Sequence, residues 1–340
     1  MSWRNKLIVD SRDAYDEYGI FIAQGGYKGV IQKPVFKKLT TTEWAEFDGI
    51  EVDLITPVLD SRQFQIQFNV TNVRYAEDFF EDMSDGAYHT FQFVEIGKSY
   101  NLRMVQCGSF SELVKMGKMT LTFADDFPTV PTGTPYNIGQ SEVFRSGFEI
   151  DGVDMSQFGS WVLKGSDESI RKMANVREAL KIDVKSVAGL QYDGENVRFK
   201  AKDVTLKLLI KASSVREFWK RYDALYAILM SPETRYFYYA ELGAEYECYY
   251  KNNSVLRFEI LGGGRVWCEF SVVLTFTNYH PVSSWMLLAT EDYDFVVTED
   301  NKKSKIIIRP KYGIALICTE DGKYVITESD ADYIYVNNKN

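Results

Sequence analysis

Histidine is nearly missing from this chain. Only His89 and His280 stand among 340 residues, so a histidine-centred triad or a His-rich metal site has little to draw on. Cysteine is scarce as well. Cys107, Cys248, Cys268 and Cys318 include no CxxC pair. That spacing speaks against a zinc site, and the four are expected as reduced thiols, mostly buried in strands. Eight prolines and 23 glycines are too few for a collagen-like or low-complexity chain. No run approaches the roughly 18 uncharged apolar residues of a transmembrane helix. The opening Met-Ser-Trp-Arg-Asn-Lys-Leu-Ile-Val-Asp has no apolar core of a secretory signal, so folding in a cytoplasm is expected. There is no Walker A loop, no Gly-x-Gly-x-x-Gly and no Gly-x-Ser-x-Gly elbow; Gly25-Gly26-Tyr-Lys-Gly29 has the wrong spacing.

Positive charge is also in short supply. Lys and Arg number 39 against 48 Asp and Glu, a net charge of −9. Residues 1–135 carry 13 basic and 19 acidic side chains, residues 136–283 carry 19 of each, and residues 284–340 carry 7 and 10. No segment has the basic footprint of a domain that neutralises phosphates.

What is present is aromatic and alternating. Aromatics reach 15% of the chain, with 22 Tyr, 22 Phe and 6 Trp. Gln63-Phe-Gln-Ile-Gln-Phe-Asn-Val70 alternates polar and apolar without a break, the pattern of a strand with one dry and one wet face. Val204–Ile210, Met119–Phe123 and Val272–Phe276 follow the same rule. Two segments have a helical period instead. Val73, Ala76, Phe79, Phe80 and Met83 lie three and four apart, and Val215 to Leu229 repeats the pattern, with Ser213 or Ser214 as its cap and Glu217 positioned for a capping box.

These segments recur in order. Asn72-Val-Arg74 matches Ser214-Val-Arg216. The aromatic strand Tyr88–Glu95 matches Thr234–Glu241. Glu95-Ile-Gly-Lys-Ser-Tyr100 matches Glu241-Leu-Gly-Ala-Glu-Tyr246, and Leu121-Thr-Phe matches Leu274-Thr-Phe. The offset grows from 142 to 153 (72 to 214, 121 to 274), as loop insertions such as Gly262-Gly-Gly264 would produce. A fainter match upstream sets Tyr18-Gly-Ile20 against Phe158-Gly-Ser160. The expectation is a mainly β chain of two copied β-sandwich or barrel domains, 1–135 and 136–283, each with one packed helix. Thr129-Val-Pro-Thr-Gly-Thr-Pro135 would link them. Residues 284–340 would form a small β appendage, with a strand at Lys305–Arg309 and two Thr-Glu-Asp repeats at 290–299 and 319–328.

Candidate chemistry is thin, and no catalytic, cofactor or metal residue is assigned. His89 and His280 are expected to be structural or solvated. Glu95 and Glu241 occupy equivalent places, and Glu-x-Gly-x-x-Tyr reads as a turn signature, with Glu or Tyr bonding the loop. Asp82-Met-Ser-Asp85-Gly86 and Asp292-Tyr-Asp294 hint at calcium but lack the bidentate Glu of an EF-hand. Tyr236-Phe-Tyr-Tyr239 and Tyr249-Tyr250 could stack sugars, yet neighbouring strand residues face opposite ways, which suits a core on one side and an interface on the other.

The strand–helix–strand order of Gln63–Val70, Val73–Met83 and Tyr88–Glu95, the aromatic hairpin running into a closing Leu-Thr-Phe strand, and the exits Phe123–Pro128 and Phe276–Pro281 resemble the distal tail and tail-tube-related proteins of long-tailed bacteriophages. The likeness covers about residues 10–283. It implies a non-enzymatic virion tail protein, assembled in the host cytoplasm. Such a protein would form a homo-oligomeric ring joining the tube to baseplate or adhesion proteins. DNA would pass through the lumen without specific binding, to which an acidic chain is suited, and no membrane is inserted. Many members of that family have a different second domain, whereas here the second half looks like a copy of the first. The ring could then be a hexamer, or a trimer with pseudo-sixfold symmetry. The rival readings are a carbohydrate- or cell-surface-binding tail adhesin and, behind it, a hydrolase with a carboxylate pair.

Overall fold

The computed structural model describes residues 3–134 and 143–281, except 45, 72, 114–115, 179–180, 184, 187, 190 and 193–196, together with four short strands beyond 284. The protein is mainly β. The first half runs β1 (Leu7–Val9), β2 (Arg12–Asp13), α1 (Ala14–Tyr18), β3 (Ile20–Ile22), α2 (Lys28–Ile31), β4 (Thr41–Thr42), β5 (Glu51–Val52), β6 (Arg62–Val70), α3 (Val73–Met83), β7 (His89–Phe93), β8 (Lys98–Leu113) and β9 (Met116–Asp125). Its seven-stranded sheet has the order β2-β1-β7-β8-β9-β6-β3, with β4 and β5 paired apart from it. Strand β6 alternates as its residues dictate: Phe64, Ile66, Phe68 and Val70 are buried, while Gln63, Gln65 and Gln67 face water.

The second half runs β10 (Phe148–Ile150), β11 (Val153–Asp154), β12 (Ser160–Val162), α4 (Ser166–Arg171), β13 (Lys181–Ile182), β14 (Gln191–Tyr192), β15 (Lys202–Ala212), α5 (Val215–Leu229), β16 (Arg235–Tyr239), β17 (Ala244–Ile260) and β18 (Val266–Phe276). Its sheet has the order β11-β10-β16-β17-β18-β15-β12, with β13 and β14 paired apart. Strand for strand, this is the first order again. Ser214 caps α5 by accepting from the Glu217 amide at 3.2 Å, and the Glu217 carboxylate accepts from the Ser213 amide at 2.8 Å. One unpaired N–H of the first turn and the amide just before the cap are thereby satisfied.

The repeat runs deeper than the motifs suggest. The bridge Phe36–Leu59 recurs as Val176–Phe199, the pair Thr41–Val52 as Lys181–Tyr192, and Ile20–Val70 as Ser160–Ile210, all at an offset of 140 (36 to 176, 70 to 210). The Arg62 guanidinium donates to the carbonyls of Val30 and Gln32, at the end of α2. The Lys202 ammonium does the same for Ile170 and Lys172 at the end of α4. Each cation completes carbonyls that a helix end leaves unpaired. The Asp10 carboxylate accepts from the Thr90 amide and pairs with His89; Asp151 accepts from the Tyr236 amide and pairs with Arg235. The faint match at Gly19 and Gly159 lies on two helical turns that both end in the left-handed conformation. The offset then rises to 146 (89 to 235) because α5 has 15 residues and α3 has 11, about one more turn.

One correspondence needs correcting. With β7 and β16 matched at 146, the rungs Arg103–Ala124 and Met104–Phe123 answer Tyr249–Thr275 and Tyr250–Leu274. The closing strands therefore match at 151 (124 to 275), and the two Leu-Thr-Phe motifs sit two residues apart along the strand. A slip of two leaves every side chain on its original face, so Phe123 and Phe276 are both fully buried.

Beyond 284, the strands Trp285–Leu287, Lys305–Arg309, Ile314–Cys318 and Tyr335–Asn337 pair in that order as an antiparallel sheet. Both Thr-Glu-Asp repeats lie outside the described residues.

Candidate functional site

A constellation of polar and aromatic residues lies where the two halves meet. Between α2 and β6 the first half sends out an arm, residues 36–59, stiffened by the β4–β5 pair. Its tip runs over the second half through backbone groups. The Gly49 amide donates to the Phe199 carbonyl at 2.8 Å, and the Ile50 amide to the Thr277 carbonyl at 2.9 Å. The Glu233 amide donates to the Leu54 carbonyl at 2.8 Å. The Asp48 carboxylate accepts from the Phe199 amide at 2.7 Å. Arg177 donates to the carbonyls of Trp44, Phe47 and Gly49, and Arg198 to that of Glu46. These are main-chain contacts supplemented by two guanidinium groups that donate to the carbonyls of the arm.

Helix α5 answers from the other side. The Trp219 indole donates to the Ile96 carbonyl at 2.6 Å and lies 4.3 Å under the Lys98 ammonium. Asp223 accepts from Lys33 and, at 3.1 Å, from Lys98. Burial pushes the Lys33 ammonium down to about 8, against the pull of Asp223. Behind these ions Tyr27 meets Phe258 and Phe36 meets Tyr250 edge-on, and the Tyr250 hydroxyl donates to the Pro34 carbonyl. Buried apolar residues of both halves form one contiguous cluster. The linker is part of the seam as well: a Cβ on Gly133 would come within 2.9 Å of Ala224 in α5. A cleft of about 440 Å³ opens here, lined by Lys33, Arg62, Lys98, Asp125, Asp223 and residues 127–132 at the start of the linker. Its charges are spent on each other, Arg62 on Asp125 and both lysines on Asp223. The arrangement suits adhesion between two β units.

The residues weighed in the sequence are dispersed. Glu95 accepts from the Tyr27 hydroxyl at 2.7 Å and pairs with Lys6; Glu241 accepts from the Tyr239 hydroxyl at 2.7 Å and pairs with Arg171. Each ties its turn to a tyrosine and a cation. Asp82 accepts from the Tyr18 hydroxyl, and Asp85 from the Ala87 amide. Among the described residues no cluster of His, Cys, Asp and Glu could hold a metal, and Asp292 and Asp294 fall outside them. The Tyr236–Tyr239 run alternates, with Phe237 and Tyr239 buried and Tyr236 and Tyr238 half-buried. Cys248 and Cys268 are buried. His280 lies 3.4 Å from Asp48 at the arm tip and meets Phe199 edge-on. No helix among the described residues is long and apolar enough to cross a membrane.

His89 is a buried imidazole held between two carboxylates. It sits between Asp10 at 2.6 Å and Asp85 at 3.1 Å. Burial alone would lower its pKa, but the hydrogen bonds and charges of the two carboxylates together raise it above the ordinary 6.5. A raised folded value means that this stabilisation is complete below the unfolded value and is lost as pH rises through the folded one. Urea unfolding at pH 6 and pH 8 is expected to show the lower stability at pH 8, and His89→Gln to flatten that difference. A variant with the wild-type slope would place the titration elsewhere.

The arm and the helix seam went unforeseen in the sequence, because backbone edges carry most of the contact. The spacing Asp10-x-x-Asp13 against Asp151-x-x-Asp154 was the available signal for the upstream repeat.

No protein family and no curated protein matches this chain in sequence. Among solved structures, the chain is similar to the Dit protein (gp 19.1) of phage SPP1, described as a paradigm of the hub adsorption apparatus in phages that infect Gram-positive hosts. Identity is 11%, the TM-score is 0.28, and the match covers 80% of this chain and 98% of that one.

Proposed function

We propose that this chain is a structural, non-enzymatic protein of a phage or prophage tail, a ring-forming adaptor that joins the tail tube to baseplate or adhesion proteins. The proposal includes a tandem duplication, with units at 1–135 and 136–283 and a small β appendage after them. The observation that carries the reading is the head-to-tail contact between two sheets of one strand order. In that contact the arm of the first half lies on the second, and α5 of the second lies on the first. A heterologous contact of this kind builds a ring when its rotation closes and a filament when it does not. Three chains would supply six units. The net charge of −9 suits a lumen that lets DNA pass without holding it.

Light scattering on the purified chain, with negative-stain images of the same fraction, tests this. A closed ring of three or six chains around a hole is the expected result. A mass of one chain at all concentrations up to about 100 μM, with no ring in the images, would remove the adaptor reading.

A further inference from the structure

We propose that the second arm, residues 176–199, clasps the first half of another copy of this chain, landing on Tyr88, Asp126 and Phe127. This rests on the ring reading above and names the surface that would close it.

The first arm supplies the precedent. At its tip Gly49 has φ +77°, and an added Cβ would fall on the Thr277 carbonyl and within 3.0 Å of the Asn278 Cα. Only glycine fits there, in both conformation and space. The matching residue of the second arm, at the offset of 140, is again glycine: Gly189, with φ +97°. Among the described residues nothing lies within 4 Å of where its Cβ would stand. The second arm repeats the glycine of the first tip, while its root, at Arg177, Arg198 and Phe199, holds the first arm.

The landing place is equally specific. The first arm rests on Thr277 and Asn278 and on Glu233, beside Thr234. At offsets of 151 and 146 these correspond to Asp126, Phe127, Ala87 and Tyr88. Phe127 is 77% exposed and Tyr88 47% exposed, their rings 5.9 Å apart, with the Tyr88 hydroxyl on Asp126. A pair of solvent-facing aromatics thus stands where the repeat would set a second arm, and such pairs mark contact surfaces.

The flanks agree. On α3, Phe80 and Glu81 hold the places that Tyr222 and Asp223 hold on α5 (73 to 215), and both are exposed, as are Glu77 and Asp78. On the second half, exposed Met173 and Leu242 hold the places of Lys33 and Ile96, with Lys172 and Lys200 exposed beside the arm root. The acidic α3 face would meet a mixed one, where Lys172 and Lys200 stand with exposed Glu168 and Glu241 and with apolar Met173 and Leu242, so it is the equivalence of position to the seam within the chain that favours a second copy over an unrelated partner.

Mixing the single variants Phe127→Cys and Gly189→Cys under mild oxidation tests the clasp, with the wild-type chain as background. The expected result is an interchain disulfide in the mixture, at least tenfold above either variant alone, on a non-reducing gel. Because Gly189 has a left-handed backbone, Tyr88→Cys with Ala188→Cys serves as a second pair. A ring by light scattering with no interchain bond at either pair, or with position 127 still open to a maleimide, overturns the clasp and leaves the ring standing. A monomer with no bond at either pair overturns both.

Discussion

Replacing Asp223 by alanine is expected to cost the folded chain about 3–5 kcal/mol at pH 6, the usual loss when one partner of a buried ion pair is removed. The carboxylate holds Lys33 and Lys98 together under α5. Lys98 is about one-third exposed and can turn to water, whereas Lys33 is enclosed. Without Asp223 the Lys33 ammonium stays buried and unpaired, and its folded pKa, already at about 8, falls further. A lowered lysine value means that the unfolded chain binds more protons, so the variant gains stability as pH rises. The deficit should therefore be largest at pH 6 and shrink towards pH 9, where Lys33 is mostly neutral in the wild type too. Urea unfolding of both proteins at pH 6, 7.5 and 9 measures this. A deficit below about 1 kcal/mol at pH 6, or one that does not change with pH, would mean that the pair does not hold the seam.

Gly49→Val should be of similar severity for a different reason. A β-branched residue at φ +77° costs about 1–2 kcal/mol in backbone strain. Its side chain would also meet the backbone of Thr277 and Asn278, which cannot swing aside, adding about 1–3 kcal/mol of overpacking. The cheapest relief is to lift the arm tip, losing the Gly49–Phe199 and Ile50–Thr277 hydrogen bonds. A loss of about 2–5 kcal/mol in chemical denaturation is expected, together with new proteolytic cleavage between residues 37 and 59. Gly189→Val, measured on the dissociated single chain, is the control: there it meets the strain alone, about 1–2 kcal/mol, because its side chain would enter open space. Equal losses at the two positions would mean that the tip contact contributes nothing.

Much of the architecture is legible in single residues. The glutamines of β6 alternate with buried Phe64, Ile66 and Phe68 because a strand with one wet face needs a period of two. Ser214 and Glu217 announce α5, and Val73 with Met83 bound α3, because helix ends and helix faces have their own chemistry. The turns at Glu95 and Glu241 follow from a motif that both halves share, but their tyrosine partners do not: Tyr27 precedes α2, Tyr239 ends β16, and neither is the tyrosine of the motif.

The rest was beyond the reach of side-chain pattern. Alternation cannot detect a slip of two residues, so the Leu-Thr-Phe motifs set the closing strands two rungs out of register. The upstream repeat was faint because its rungs are backbone pairings, and Phe36–Leu59 and Val176–Phe199 need no common side chains. The duplicated pattern, the cap, the wet and dry faces and the scarcity of catalytic residue types belong to the sequence alone, since each depends on neighbours a few positions away. Which face of α5 meets the first half, where the arm lands and why Gly49 can be nothing else were decided by the tertiary structure. Those contacts join residues more than a hundred positions apart through carbonyls and amides that every residue carries, and only the folded backbone selects among them.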